Sequence, residues 1–139
     1  MDAEERAAFL QEQGTGTLSL ANRGEAYGIP VSFGYDGERL YFFLIRFGEG
    51  SEKLDFAEMT TRACFSTYTF DDQHHWQSVV VRGSLERVPQ NRADAAEEAM
   101  TDNAQFANLF PYGEPMTEWP RYQLVPDEVT GQKGQGYDE

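Results

Sequence analysis

The stretch TGTLSLANRGEAYGIPVSFGYDGERLYFFLI, residues 15 to 45, decides the fold. Thr15 to Ala21 alternates apolar and polar side chains, the period of a strand with one face in a core. Asn22-Arg23-Gly24 is a turn signal and Glu25 to Tyr35 resumes as a strand, so the two make a hairpin. Pro30 has no N–H to donate, which places its strand at a sheet edge or a bulge and leaves neighbouring backbone groups free for a ligand. Asp36-Gly37 turns the chain again into Arg39 to Ile45. Its run Leu40-Tyr41-Phe42-Phe43-Leu44-Ile45 has no solvent-facing alternation, so this strand is expected to be covered on both faces. One chain of 139 residues is not expected to cover both by itself, and a second copy across a two-fold interface would bury the rest.

Working outward, Asp2 to Gln13 is rich in Ala and Glu and ends at Gly14, the pattern of a short helix with acids in its first turn. Gly48 and Gly50 open a loop, and Ser51 is a plausible N-cap for a helix over Ser51 to Met59. Ala63 to Phe70 reads as a strand, Asp71 to His75 as a polar loop, and Trp76 to Val88 as a long strand. Gly83 inside that strand marks a bulge or a close backbone approach. A helix is expected over Asn91 to Asn108, an irregular segment around Pro111, Gly113 and Pro115, and a last strand over Arg121 to Val125. The tail beyond Gly134 is expected to fray. Five or six mainly antiparallel strands with a few short helices point to a small β-barrel with helical caps, one domain over residues 1–139.

The chain carries 24 acids against 11 bases, a net charge of −13, which repels phosphate backbones and anionic lipid and argues against nucleic acid as a partner. Nine of the bases are Arg and only Lys53 and Lys133 are Lys, a bias that with the acidity suggests adaptation to high salt. The melting temperature is accordingly expected to rise as the screening length shrinks from ~30 Å at 0.01 M salt to ~3 Å at 1 M. Residues 39 to 92 hold seven acids and seven bases, so an anion would be least repelled there. The longest apolar run, Leu40 to Ile45, is far shorter than the ~20 residues of a membrane-crossing helix, and no apolar stretch follows Met1. A cytoplasmic protein is expected. The single Cys64 cannot form an internal disulfide and fits a reducing compartment.

Three segments carry chemistry. Arg46-Phe47-Gly48-Glu49-Gly50-Ser51-Glu52-Lys53 runs from the apolar strand into a helix start, where glycines admit close backbone approach and free amides attract anions. Lys53 in the first turn either faces such an anion or pairs with Glu49 or Glu52 on a solvated turn. On the long strand, Gln77, Val79 and Val81 share one face and Trp76, Ser78, Val80 and Arg82 the other. Ser78 either donates to a ligand or relieves crowding in the barrel. Gly28-Ile29-Pro30-Val31-Ser32 is the third. His74-His75 has no partners at a metal-ligand spacing beyond Asp71 and Asp72, and Cys64 has no histidine in a nucleophile context, so a metal site and a thiol nucleophile are not expected.

In order, the motifs around Ala26 to Tyr35, Leu40 to Phe43, Gly50-x-x-Lys53, Trp76-x-Ser78-Val79-x-x-x-Gly83 and Val125 to Gly131 resemble the pyridoxamine 5′-phosphate oxidase-like, flavin-nucleotide-binding proteins, nearest the nitroimidazole-resistance branch. The resemblance spans roughly residues 5 to 133. It implies a mainly β fold, a six-stranded antiparallel split barrel that dimerises, with FMN at the subunit interface. By the same resemblance Pro30, Val31 and Ser32 would lie along the isoalloxazine and Phe43 and Leu44 beside the ring or ribityl chain. Lys53, Ser51 and Arg46 would hold the phosphate, Gln77 and Ser78 would approach it from the long strand, and Trp119 and Arg121 would reach the partner's flavin. Phe43 stands where the resistance branch has His, so a mechanism relying on that His is not expected. Gln77-Ser78 replaces the Arg-Gln of the oxidase proper, so oxidation of pyridoxamine phosphate is not expected either. The implied activity is a flavin-dependent oxidoreductase acting on a small organic substrate; a non-catalytic flavin-binding or stress-related module and a deazaflavin-dependent reductase are the alternatives.

Overall fold

The computed structural model describes residues 1–43, 57, 60–101 and 121–137. Asp2 caps helix α1 (Ala3–Glu12): its carboxylate accepts from the Glu5 amide at 2.8 Å while the Glu5 carboxylate accepts from the Asp2 amide. This reciprocal pair satisfies two of the amides that a helix start leaves without intrahelical partners. α1 buries Phe9 and Leu10 against the sheet.

Strands β1 (Thr15–Asn22) and β2 (Glu25–Ser32) form the expected hairpin, with Leu18 opposite Ile29. Its two turn residues, Arg23 at φ 51° and Gly24 at φ 83°, take left-handed conformations, the turn whose twist matches the flanking strands. After Phe33 the chain enters β3 (Gly34–Tyr35), which pairs with β4 (Leu40–Phe43). With β5 (Arg62–Asp72), β6 (His75–Arg87) and β7 (Arg121–Lys133), the sheet runs in the order β2-β1-β5-β6-β7-β4-β3, antiparallel throughout. Its first and last strands are separated in the chain by Phe33 alone, so the sheet has to curl until its two edges approach. The Phe33 amide donates to the Gly14 carbonyl and fixes that bend. Counted as one bent strand, β2 and β3 leave six: the expected mainly β, antiparallel split barrel. Pro30 lies on the edge strand β2, where its missing N–H costs no ladder bond.

Leu18, Leu20, Ile29, Phe33, Leu40, Phe42, Phe65, Val79, Val81 and Leu124 fill the barrel. The Phe65 ring lies 4.6 Å from that of Phe33 and 5.6 Å from that of Phe42, both tilted, a geometry that aromatic pairs favour. Outside the barrel, α2 (Ala93–Thr101) follows a 3-10 turn (Gln90–Arg92) and packs on β3. A Cβ at Gly34 would stand 2.5 Å from the Ala99 carbonyl carbon, so only glycine lets the helix this close.

Five expectations are corrected. Asp71 to His75 is not a loop: β5 continues to Asp72 and β6 begins at His75, with a register shift between Phe70 and Asp72. The last strand does not stop at Val125 but runs to Lys133, because β6 supplies backbone partners for the polar residues as well as the apolar ones. Beyond it, Gly134 and Gly136 donate to the carbonyls of Trp76 and His74, so the tail is tied down through this stretch. Helix α2 starts at Ala93 rather than Asn91. Leu40, Tyr41 and Phe42 have no exposure within the single chain, so covering both faces of these three residues needs no second copy. Gly83 behaves as expected: the pairing slips from Arg82–Glu128 to Gly83–Pro126, leaving Asp127 as a bulge, and a Cβ there would collide with the Val125 carbonyl. Apart from Ala57, helical and buried, the helix expected over Ser51 to Met59 lies outside the described residues.

Candidate functional site

Alternation along the strands sends Leu18, Ile29, Phe65, Thr67, Val79 and Val81 into the barrel and their neighbours outward. The register aligns these outward residues in rows across the sheet. One row reads Gly28, Ser19, Cys64, Arg82, Glu128; the next reads Pro30, Thr17, Ser66, Val80, Thr130. At about 4.8 Å per strand, Pro30 and Val80 are roughly 14 Å apart on one face. A third level carries Tyr68, Ser78 and Gln132. Except for the charged pair at the end of the first row, these two rows hold only short or compact side chains, all exposed or half-buried. Such a face admits a flat ligand without a side chain standing in its way.

Pro30 and Ser78 therefore open on the same outer face. Ser32 points the same way, but its hydroxyl donates to the Gly14 carbonyl at 3.3 Å and the residue is buried. Val31 and Gln77 fall on the barrel-facing alternation, opposite Gly16 and Thr69. Phe43 is placed by its backbone at the end of β4, opposite Arg121. Leu44, Arg46, Ser51, Lys53 and Trp119 lie outside the described residues. In this open half Arg62 is paired with Asp127 and Arg82 with Glu128 at 3.7 Å, and Lys133 is held by Glu5 at 2.8 Å.

The sheet's other half is closed. Tyr41 and Gln123 face outward too, yet both are fully buried. The Tyr41 hydroxyl donates to Asp36 at 2.7 Å and accepts from Arg92 at 2.8 Å, and Arg92 also reaches Asp36 at 3.1 Å. The Glu38 and Arg39 amides donate to the other Asp36 oxygen. Gln123 accepts from Arg39 and donates to Glu86. Burial by itself would raise the Asp36 carboxyl, but the Arg39 amide, the Tyr41 hydroxyl, the Glu38 amide and the Arg92 charge outweigh it and hold the group below the usual carboxylate range. Burial, reinforced by Asp36, pushes the Tyr41 phenol up against the opposing pull of Arg92.

The sequence reading passed over Tyr68 and Phe70, which are 72% and 64% exposed and share the outer face with Trp76 and Ser78. The signal was there: in RACFSTYTFDD both aromatics fall on the same alternation as Cys64 and Ser66. Among the described residues no group of three His, Cys, Asp or Glu side chains could hold a metal, and no helix is long and apolar enough to cross a membrane.

Residues 2–133 match the sequence model of the family described as Pyridoxamine 5′-phosphate oxidase. The chain belongs to this family. Solved structures share its fold. A FAD-binding protein from Mesorhizobium loti superposes with a TM-score of 0.77 at 20% identity, covering 94% of each chain. The FAD-binding protein from Mycobacterium smegmatis gives 0.69 at 21%, covering 96% of each. A structure described as a candidate 5-nitroimidazole antibiotic resistance protein, from Bacteroides thetaiotaomicron, gives 0.66 at 14%, covering 94% of this chain and 82% of that one. No curated protein matches the chain. The family membership and these folds agree with the resemblance carried by the motifs.

Proposed function

We propose that the protein binds a flavin nucleotide, FMN, on the open outer face of β2-β1-β5-β6, and that it works as a homodimer and flavin-dependent oxidoreductase on a small organic substrate. The observation that carries this reading is the pair of rows from Gly28 and Pro30 to Arg82 and Val80: compact side chains up to Arg82 on one open face, in a family named for a flavin-dependent oxidase. A Cβ at Gly28 would meet nothing closer than 3.7 Å, so this corner is open rather than packed, and a planar ring fits over it. With Arg62 and Arg82 already paired, the phosphate falls to the segment Arg46 to Lys53, where Lys53 and Ser51, with Arg46, would hold it. Pro30, Val31 and Ser32 line the ring through their backbone, Phe43 and Leu44 stand beside ring or ribityl chain, Gln77 and Ser78 approach the phosphate end, and Trp119 reaches the partner's site.

A bound flavin supplies electron transfer; the chain supplies position, dryness and local charge. FAD is the second reading, favoured by the two similar folds named for FAD. The test begins with the absorption spectrum of the purified protein and chromatography of the released flavin, which separates FMN, FAD and a deazaflavin. Anaerobic NADH or NADPH is then expected to bleach the spectrum and a nitroaromatic to restore it. A yellow protein inert to both donors is the non-catalytic module. A colourless protein that takes up no added flavin overturns the reading.

A further inference from the structure

The hairpin of β5 and β6 projects beyond β1, which pairs with β5 only from Ser66 back to Cys64, while β7 and the segment after it stay bonded to β6 out to His74. On this projecting part Tyr68, Thr69, Phe70, Trp76, Gln77 and Ser78 enclose a shallow cleft of ≈ 190 Å³. Ser78 opposes Tyr68 and Trp76 opposes Phe70, so the three aromatic rings rise from one face around Ser78. Gly134 backs Trp76; a Cβ there would stand 2.9 Å from the indole. All six lining residues are uncharged, in a chain of net charge −13. Tyr68 and Phe70 remain largely exposed, a placement that costs solvation unless something stacks on them.

We infer that this cleft receives the adenine ring of an adenine nucleotide. The inference rests on the proposed flavin site, because Ser78 belongs to both and puts the cleft directly beside the phosphate end. An uncharged heterocycle gains from stacking on aromatic faces and suffers no repulsion from the acidic surface. The Ser78 hydroxyl, on the same face as the three rings, can both donate to and accept from a purine edge. The adenine has two sources, the far half of FAD or the far half of a dinucleotide electron donor, and both present the same ring.

The experiment compares wild type with Tyr68→Ala and Phe70→Ala, substitutions at exposed positions, using FMN, FAD, ADP, NADH and reduced nicotinamide mononucleotide as probes. Light scattering and melting curves accompany each titration. If FAD carries the adenine, either variant weakens FAD by about five- to a hundred-fold and leaves FMN unchanged. If the donor carries it, FAD and FMN bind alike and the variants raise KM for NADH but not for the mononucleotide. ADP alone, by calorimetry, binds wild type more tightly than either variant in both cases. The inference is overturned if neither variant changes FAD, ADP or NADH, if FMN and FAD weaken equally, or if the variants dissociate a dimer, which would make the aromatics a contact between copies. The two readings fail separately: ADP binding lost in the variants without any flavin uptake sinks the flavin site alone, whereas flavin uptake indifferent to both variants sinks the adenine cleft alone.

Discussion

The outer face of this one sheet is finished in two ways. Over β4 and the start of β7, α2 and the Gln90–Arg92 turn close it, and the outward Tyr41 and Gln123 disappear under a hydrogen-bonded network. Over β2, β1, β5 and the start of β6 nothing covers it among the described residues, and the outward positions hold Gly28, Pro30, Ser19, Ser66, Ser78 and Val80. Both halves rest on the same barrel interior. The difference lies in what a polar or aromatic side chain finds above it: buried partners in one half, solvent in the other. In the closed half outward residues serve stability; in the open half they are free to serve a ligand.

Two tyrosines make the sharpest contrast. Tyr41→Ala removes a fully buried ring and leaves Asp36 and Arg92 without their shared hydroxyl, an expected loss of about 3 to 5 kcal/mol in denaturant unfolding. Tyr68→Ala, at 72% exposure, is expected to stay within about 0.5 kcal/mol of wild type. Equal losses would erase the distinction between the halves.

The phosphate end comes next in size. Lys53→Ala removes a charge-assisted hydrogen bond of roughly 1.5 to 3 kcal/mol, so FMN is expected to bind about ten- to a hundred-fold more weakly while riboflavin, which has no phosphate, is hardly affected. Titration of both flavins at one high salt concentration checks this. Equal loss for the two would move Lys53 from the ligand to the fold.

The smallest effect is a pH dependence in the closed half. The Asp36 carboxyl is held below its unfolded value, so its contribution is present above the unfolded pKa of about 3.9 and is lost as pH falls through the folded one. Wild type is expected to exceed Asp36→Asn in stability by a constant margin down to about pH 5, and the margin to close below about pH 4. A margin that persists into acid would mean that the Asp36 charge is not what the network uses.

The sequence made the barrel legible wherever alternation was strict. Leu18 to Leu20 and Ala63 to Phe65 show the inward period plainly, and Arg23-Gly24 and Asp36-Gly37 announce their turns. The second half of β7 was hidden because Pro126, Asp127, Glu128 and Gly131 have poor strand propensity, and what holds them is backbone pairing to β6 some 45 residues earlier in the chain. The Tyr41–Asp36–Arg92 network was hidden for a related reason: Asp36 does serve its turn, as read, and Arg92 reaches it only through the curl of the sheet. At the candidate site, Pro30 and Ser78 could be named from motif order, but their sharing of one face follows from register across β1 and β5, which no local pattern encodes.

The central claim, that the open outer face holds the flavin, is tested most directly at Ser78. Ser78→Phe places a ring on that face without entering the barrel. Flavin titration of wild type and variant, with melting curves on both, is predicted to show flavin uptake by wild type, a loss of at least about tenfold in the variant, and closely similar melting temperatures. A Ser78→Phe protein that binds flavin as tightly as wild type would contradict the account.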